Sequence, residues 1–194
     1  MSALSRAALV LVLLAGVPLP AAAATQGSAE KTFAPGQRVW MDLSAGNYTI
    51  RAGRDDRILV RWESNDPDAA KVRVDIEVRG PEATIVSQGP SDHYRVTIEL
   101  PARTDLTTRL SAGELTILGI TGNKDVHSWA GNITIDVVRP DDYRSVSASV
   151  TAGEINARPF DVFKGGLFRS FSWKGPGSYT LKVSLTAGDL RFQQ

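Results

Sequence analysis

Five times between residues 43 and 192 the chain repeats one short pattern: a single residue, then Ala-Gly, then polar, apolar, polar, apolar. The copies run Leu43–Ile50, Leu110–Ile117, Ser128–Ile135, Val150–Ala157 and Leu185–Phe192. Period-two alternation after the glycine is the signature of a half-buried strand. It predicts that Tyr48 and Ile50, Leu115 and Ile117, Ile133 and Ile135, Ile155 and Ala157, and Leu190 and Phe192 face inward. Glycine suits a corner where φ is positive or a neighbouring strand comes close, and the alanine before it keeps that corner thin.

The spacing of the copies constrains the architecture further. Gly113 to Gly131 and Gly131 to Gly153 are steps of 18 and 22 residues, enough for one coil of short strands. The step to Gly188 is 35 residues and holds the aromatic stretch Phe160–Trp173, so it reads as two coils or a coil with an inserted hairpin. The step from Gly46 to Gly113 is 67 residues and carries long alternating runs, clearest in Lys71–Arg79 and also in Arg57–Trp62 and Tyr94–Leu100. Tyr179–Leu185 alternates in the same way. Turn residues separate these runs, and no stretch after the first two dozen residues keeps a helical period. The expected fold is all-β: a right-handed parallel β-helix-like solenoid of short repeats behind an antiparallel N-terminal β segment. A β-sandwich is the alternative.

The recurring Ser/Thr-Ala-Gly-Glu/Asp-Leu/Ile motif, the run Ile98-Glu-Leu-Pro101 leading into the second copy, and Gly119-Ile-Thr-Gly122 between two copies resemble the bacterial putative-adhesin, β-strand-repeat domains of unknown function. The match covers about residues 94–194 well and 33–93 less well. It departs at Trp129, where a small residue is usual, and in the long last interval. The resemblance implies an exported protein of repetitive β architecture and carries over no catalytic residue.

Residues 1–24 read as a secretory signal peptide. Arg6 supplies the positive start, Ala7–Val17 the apolar run, Pro18 and Pro20 the break, and Ala21–Ala24 an Ala-x-Ala cleavage site. The expected organisation is therefore a signal peptide over 1–24, a flexible mature N-terminus over 25–32, and one β-repeat domain over 33–194. Within it, 33–100 holds the N-terminal strands and 101–194 the repeat coils. Export to the periplasm, the outer cell surface or the medium follows, with no transmembrane segment after cleavage. The whole chain has 22 Lys plus Arg against 21 Asp plus Glu, and the signal takes one Arg with it, leaving a mature charge near zero. Such a balance gives no long-range pull toward nucleic acid. Cysteine is absent, which removes disulfides, thiol catalysis and thiolate metal ligands together.

Two function classes meet these constraints. The first is a non-catalytic cell-envelope module, adhesin-like, that binds or scaffolds an envelope polymer or protein and can self-associate. The second is a small carbohydrate-active enzyme with its acids in a β-helix groove. Glu114, Glu154 and Asp189 share one repeat position with Asn47 and Asn132, and the plainer reading of that column is a solvated or hydrogen-bonded ladder. His93 and His127 are the only histidines and have no ligand-spaced neighbour, so no metal or cofactor is expected. Candidate binding residues lie in Lys164–Lys174, where Phe168, Arg169, Trp173 and Lys174 combine rings with positive charge. The competing reading of that stretch buries Phe171 and Trp173 in the core.

Overall fold

The computed structural model describes residues 25–194, and the signal peptide expected over 1–24 lies outside the described residues. The chain folds into twelve strands, with only three short 3-10 turns and no α-helix among the described residues. The first seven strands are β1 (Thr25–Thr32), β2 (Gln37–Leu43), β3 (Gly46–Ala52), β4 (Arg57–Ser64), β5 (Arg73–Arg79), β6 (Glu82–Gln88) and β7 (Tyr94–Leu100). Longer ones follow: β8 (Thr104–Leu118), β9 (Lys124–Asp136), β10 (Tyr143–Ala157), β11 (Val162–Lys174) and β12 (Tyr179–Gln193).

Each of β8, β9, β10 and β12 carries one Ala-Gly corner in its middle. In β8 the buried positions are Thr104, Leu106, Thr108 and Leu110 before the corner, but Leu115 and Ile117 after it. The inward phase slips by one residue at Ala112-Gly113, so the strand turns while its apolar side stays inside. The sheet is thereby bent into two limbs. In one, β2 pairs with residues 104–110 of β8; in the other, β3 pairs with residues 113–118. Side chains from both limbs meet in one hydrophobic cluster, and the ten repeat positions expected to face inward are all buried. The sheet is open, running β1-β4-β7-β3-β8-β9-β12-β10-β11, with β2, β6 and β5 extending the first limb.

The glycines of the corners stack in register: Gly46 on Gly113, Gly113 on Gly131, and Gly153 on Gly188. A Cβ at Gly131 would collide with the carbonyl oxygen of Gly113, and one at Gly153 with that of Gly188. The corner is thin because the next backbone occupies the space where a side chain would start.

Three expectations are corrected by this arrangement. Residues 25–32 are a strand rather than a flexible start: β1 pairs antiparallel with β4 along its whole length, and Gly27 makes room for the Trp62 ring. The segment 33–100 is antiparallel only in part. β4 with β7 and β5 with β6 are antiparallel, but β2 and β3 run parallel to β8, so the first Ala-Gly copy stands directly on the second. Finally, the strands do not stack in chain order. The last strand, β12, inserts between β9 and β10, parallel to both, and β11 returns antiparallel along the outer edge of β10. The long last interval is spent on that returning edge strand.

Candidate functional site

β11 occupies the exposed edge, and it separates the four candidate residues into two groups. Trp173 turns inward and packs on Phe160 at 5.0 Å between ring centroids; Phe171, also inward, lies 6.0 Å from the same ring. Lys174 is exposed at the far end of the strand, opposite Ser145. Phe168 and Arg169 sit instead at the corner of β11, five residues away, about 17 Å along an extended strand. The four candidates thus do not converge on one surface.

The corner of β11 is itself informative. Read against β10, Gly166 faces Gly153 and Leu167 faces Ala152, while Phe168 stands at the level of Thr151. The small-Ala-Gly corner of the other strands is replaced here, in reversed chain direction, by Phe168-Leu167-Gly166. Phe168 is 80% exposed and Leu167 64%, and Phe168 holds a φ of 52°, a left-handed conformation that a bulky residue adopts at a cost. The corner is pinned by its own side chains. Arg169 Nε donates to the Gly165 carbonyl at 2.6 Å, and Lys164 Nζ to that of Ser170 at 2.7 Å. Trp129 holds the corresponding corner position on β9 and is 71% exposed. It stands three ladder steps from Phe168, about 14 Å, with Thr186 and Thr151 between them. Trp129 broke the small-residue rule in the sequence, and that departure was the available sign of an exposed ring.

The polar column after each glycine forms as a ladder. Asp189 Oδ1 accepts from the Glu154 backbone N–H at 3.2 Å, and Asn132 Oδ1 accepts from the Asp189 N–H at 3.4 Å. On the other limb, His127 Nε2 lies 2.8 Å from Asp125 Oδ1, and Ser184 is the cross-strand neighbour of His127. No hydrogen bond joins His127 to Ser184 among the described residues; Ser184 accepts from Ser149 at 3.4 Å instead. His93 stands in a turn with φ of 53°.

One interior residue escaped the sequence reading. Lys124 occupies an inward position of β9 and is 1% exposed, with Nζ donating to Tyr143 Oη at 2.8 Å and to the Gly122 carbonyl at 3.3 Å. Desolvation pulls its pKa down to about 8, against the pull of Asp105, Asp136 and Asp142 in the other direction. Burial pushes the Tyr143 hydroxyl up. Tyr48, Ser87 and Tyr94 form a second buried polar group, in which burial pushes Tyr94 up to about 12. Both groups lie in the core.

The outer face of the second limb is concave. A cleft of about 590 Å³ is lined by Asn47, Arg61, Glu63, Arg95 and Glu114 among others. Its cations are already engaged, Arg61 with Glu99 at 2.9 Å and Arg95 with Glu63 at 3.4 Å. Arg51 also reaches Glu99, at 2.6 Å, and its hydrogen bond is the leading cause holding that carboxyl below its ordinary pKa. A second cleft, about 570 Å³, lies at the end of β10 and β12 and is lined by Asn156, Arg158, Arg191 and Gln193. No group of His, Asp and Glu among the described residues is arranged to hold a metal ion, and no described helix is long and apolar enough to cross a membrane.

Comparison with known proteins places the fold. A "putative cell adhesion protein" from Clostridium sporogenes superposes with a TM-score of 0.55 at 14% identity, over 88% of this chain and 100% of that one. The chain shares its fold with the clostridial protein. A "putative adhesin" from Parabacteroides distasonis matches with a TM-score of 0.28 at 14% identity, over 87% of this chain and 70% of that one. Another, from Bacteroides fragilis, gives 0.27 at 8% identity, over 87% and 97%. Scores that low add nothing to the argument about the fold. The name that the clostridial structure carries agrees with the resemblance drawn from the repeat motif. No family model matches the chain, and no curated protein does.

Proposed function

We propose that this chain is a non-catalytic, exported cell-envelope module whose short solenoid-like body holds an envelope polymer or protein at its β11 end. The observation that carries this reading is the gathering of exposed apolar side chains. Phe163 (67%), Leu167 and Phe168 all lie on β11, with Trp129 on the neighbouring corner ridge. Only Val138 joins them as a large exposed apolar residue among the described ones. Leu167 and Phe168 make an exposed apolar corner beside Arg169, with Trp129 further along the same corner ridge, and exposed apolar surface of this kind marks an interaction site. Of the three ladder carboxylates, Asp189 is engaged by a backbone N–H, that of Glu154.

Retention by separated envelope fractions tests the proposal, with peptidoglycan, outer-membrane lipid, surface polysaccharide and membrane protein immobilised in turn. Saturable retention by one fraction, lost in the Phe168→Ala/Arg169→Ala double variant at unchanged melting temperature, is the expected result. Retention by none removes the adhesin-like reading.

A further inference from the structure

We infer that the cleft at the end of β10 and β12 is a binding site for an acidic saccharide unit, a sugar ring carrying a carboxylate. The inference rests on the reading of the chain as a binder of an envelope polymer, and it names the chemistry of the ligand.

Three consecutive strands present Arg191, Asn156 and Phe163 side by side on the outward face: Asn156 is the register partner of Arg191 on β12 and of Phe163 on β11. Cross-strand neighbours of this kind stand about 5 Å apart, so the three span roughly the width of two sugar rings. Phe163 is 67% exposed, an open ring beside a polar floor, and stacking of sugar C–H groups on such a ring is a recurrent use of exposed aromatics. Arg191 and Arg158 line the same cleft, and neither guanidinium makes a hydrogen bond or ion pair among the described residues. They differ in this from Arg61 and Arg95 in the larger cleft. Two unengaged planar forks favour a carboxylate, which each binds through paired N–H groups.

The second requirement comes from acceptors. Asn156 Oδ1 is buried and has no hydrogen-bond partner. That atom is closed to solvent, so the acceptors a ligand hydroxyl can reach are the neighbouring carboxylates of Glu154 and Asp189. Asn156 and Arg191 also line the adjoining depression of about 270 Å³, together with Asn132, Glu154 and Asp189. The surface therefore runs from carboxylates and amides, which accept from hydroxyls, to unpaired arginines, which take an anion. A neutral glycan leaves the arginines unused, and a bare anion leaves the acceptors unused. A polyhydroxylated ring with a carboxylate uses both ends.

The test is calorimetric titration of the purified protein with a galacturonic acid tetramer, with a neutral galactose tetramer and inorganic phosphate as comparison probes. The uronate is expected to bind at least about tenfold more tightly than either comparison probe. Arg158→Ala/Arg191→Ala should weaken it by about tenfold or more, and Phe163→Ala by about fivefold. Arg73→Ala, which removes one charge from β5 at the opposite end, should leave it unchanged. Equal affinity for neutral and acidic tetramers, undiminished uronate binding by the double arginine variant, or no uronate binding overturns the site. If an envelope fraction still retains the protein while uronate does not bind, the binding-module reading stands and the acidic-saccharide assignment falls. If uronate binds as expected but no fraction retains the protein, the site stands and the envelope reading falls.

Discussion

The interior corners of β8, β9, β12 and β10 and the edge corner of β11 share one backbone design and use it oppositely. In the interior, each glycine faces the next strand's glycine so closely that a Cβ would strike backbone, and the residue before it is alanine every time. At the edge the same corner carries Leu167 and Phe168, with Gly165 in open space. The turn tolerates large side chains; the neighbouring strand does not. Where stacking ends, the sequence is released from the Ala-Gly rule, and that is where the exposed apolar residues gather.

The sharpest way to break this contrast is to add one methyl group at each place. Gly131→Ala is expected to destabilise by about 3 kcal/mol or more, since it combines a φ of 112° with a backbone collision. Gly166→Ala keeps the positive φ, at 111°, but meets only the flexible Arg169 side chain, and should cost about 1–2 kcal/mol. Denaturant unfolding of the two variants reads the difference, and equal losses would mean that the turn itself sets the rule.

A second test moves from backbone to buried charge. Lys124→Met should abolish the rise of stability that the parent shows between about pH 8 and 10, because that rise comes from the ammonium held in the core. The unfolded chain holds this proton up to its ordinary pKa of 10.5, whereas the folded chain releases it near 8. Stability of the parent therefore rises between pH 8 and 10. Above pH 10 the raised tyrosines oppose the trend, because the unfolded chain then loses phenol protons that the folded chain keeps. A flat stability profile from pH 7 to 10 in the parent would refute the buried-ammonium account.

The two halves of β11 differ as well, and aromatic truncation separates them. Trp173→Ala should cost about 2 kcal/mol through loss of its packing on Phe160. Phe168→Gly should be neutral or stabilising by up to about 1 kcal/mol, since it removes a bulky side chain from a left-handed conformation. Thermal melts of the two variants decide this, and a comparable loss in both would place Phe168 in the core.

The smallest effect is expected in the polar ladder. Asp189→Asn keeps an acceptor for the Glu154 N–H and should shift stability by less than about 0.5 kcal/mol, within reach of careful denaturant titration.

The interior half of that comparison was legible in the sequence. Alternation after each Ala-Gly named the ten inward residues correctly because strand periodicity is local and each strand carries its own copy. The edge half was not. The β11 corner runs backwards relative to the others, so aligning Ala-Gly forward along the chain cannot find Phe168-Leu167-Gly166. Lys124 reads as a solvent-side residue at the head of β9, and only the position of Tyr143 nineteen residues later explains its burial. Trp173 and Lys174 seemed neighbours of Phe168 because they are close along the chain; an extended strand carries them to the other limb. The Arg191–Asn156–Phe163 row joins residues from three strands whose order in space differs from their order in sequence, a property of topology that no periodicity records.

The late insertion of β12 also shapes how the chain acquires its structure. No backbone ladder joins β9 to β10, so the centre of the sheet stays unpaired until the fifteen-residue β12 is in place. Contacts that span 57 residues, such as Thr180 with Asn123, must form before the middle closes. High contact order of this kind slows folding. Loss of the last fifteen residues would leave two halves without a shared seam, rather than a protein shortened at one end.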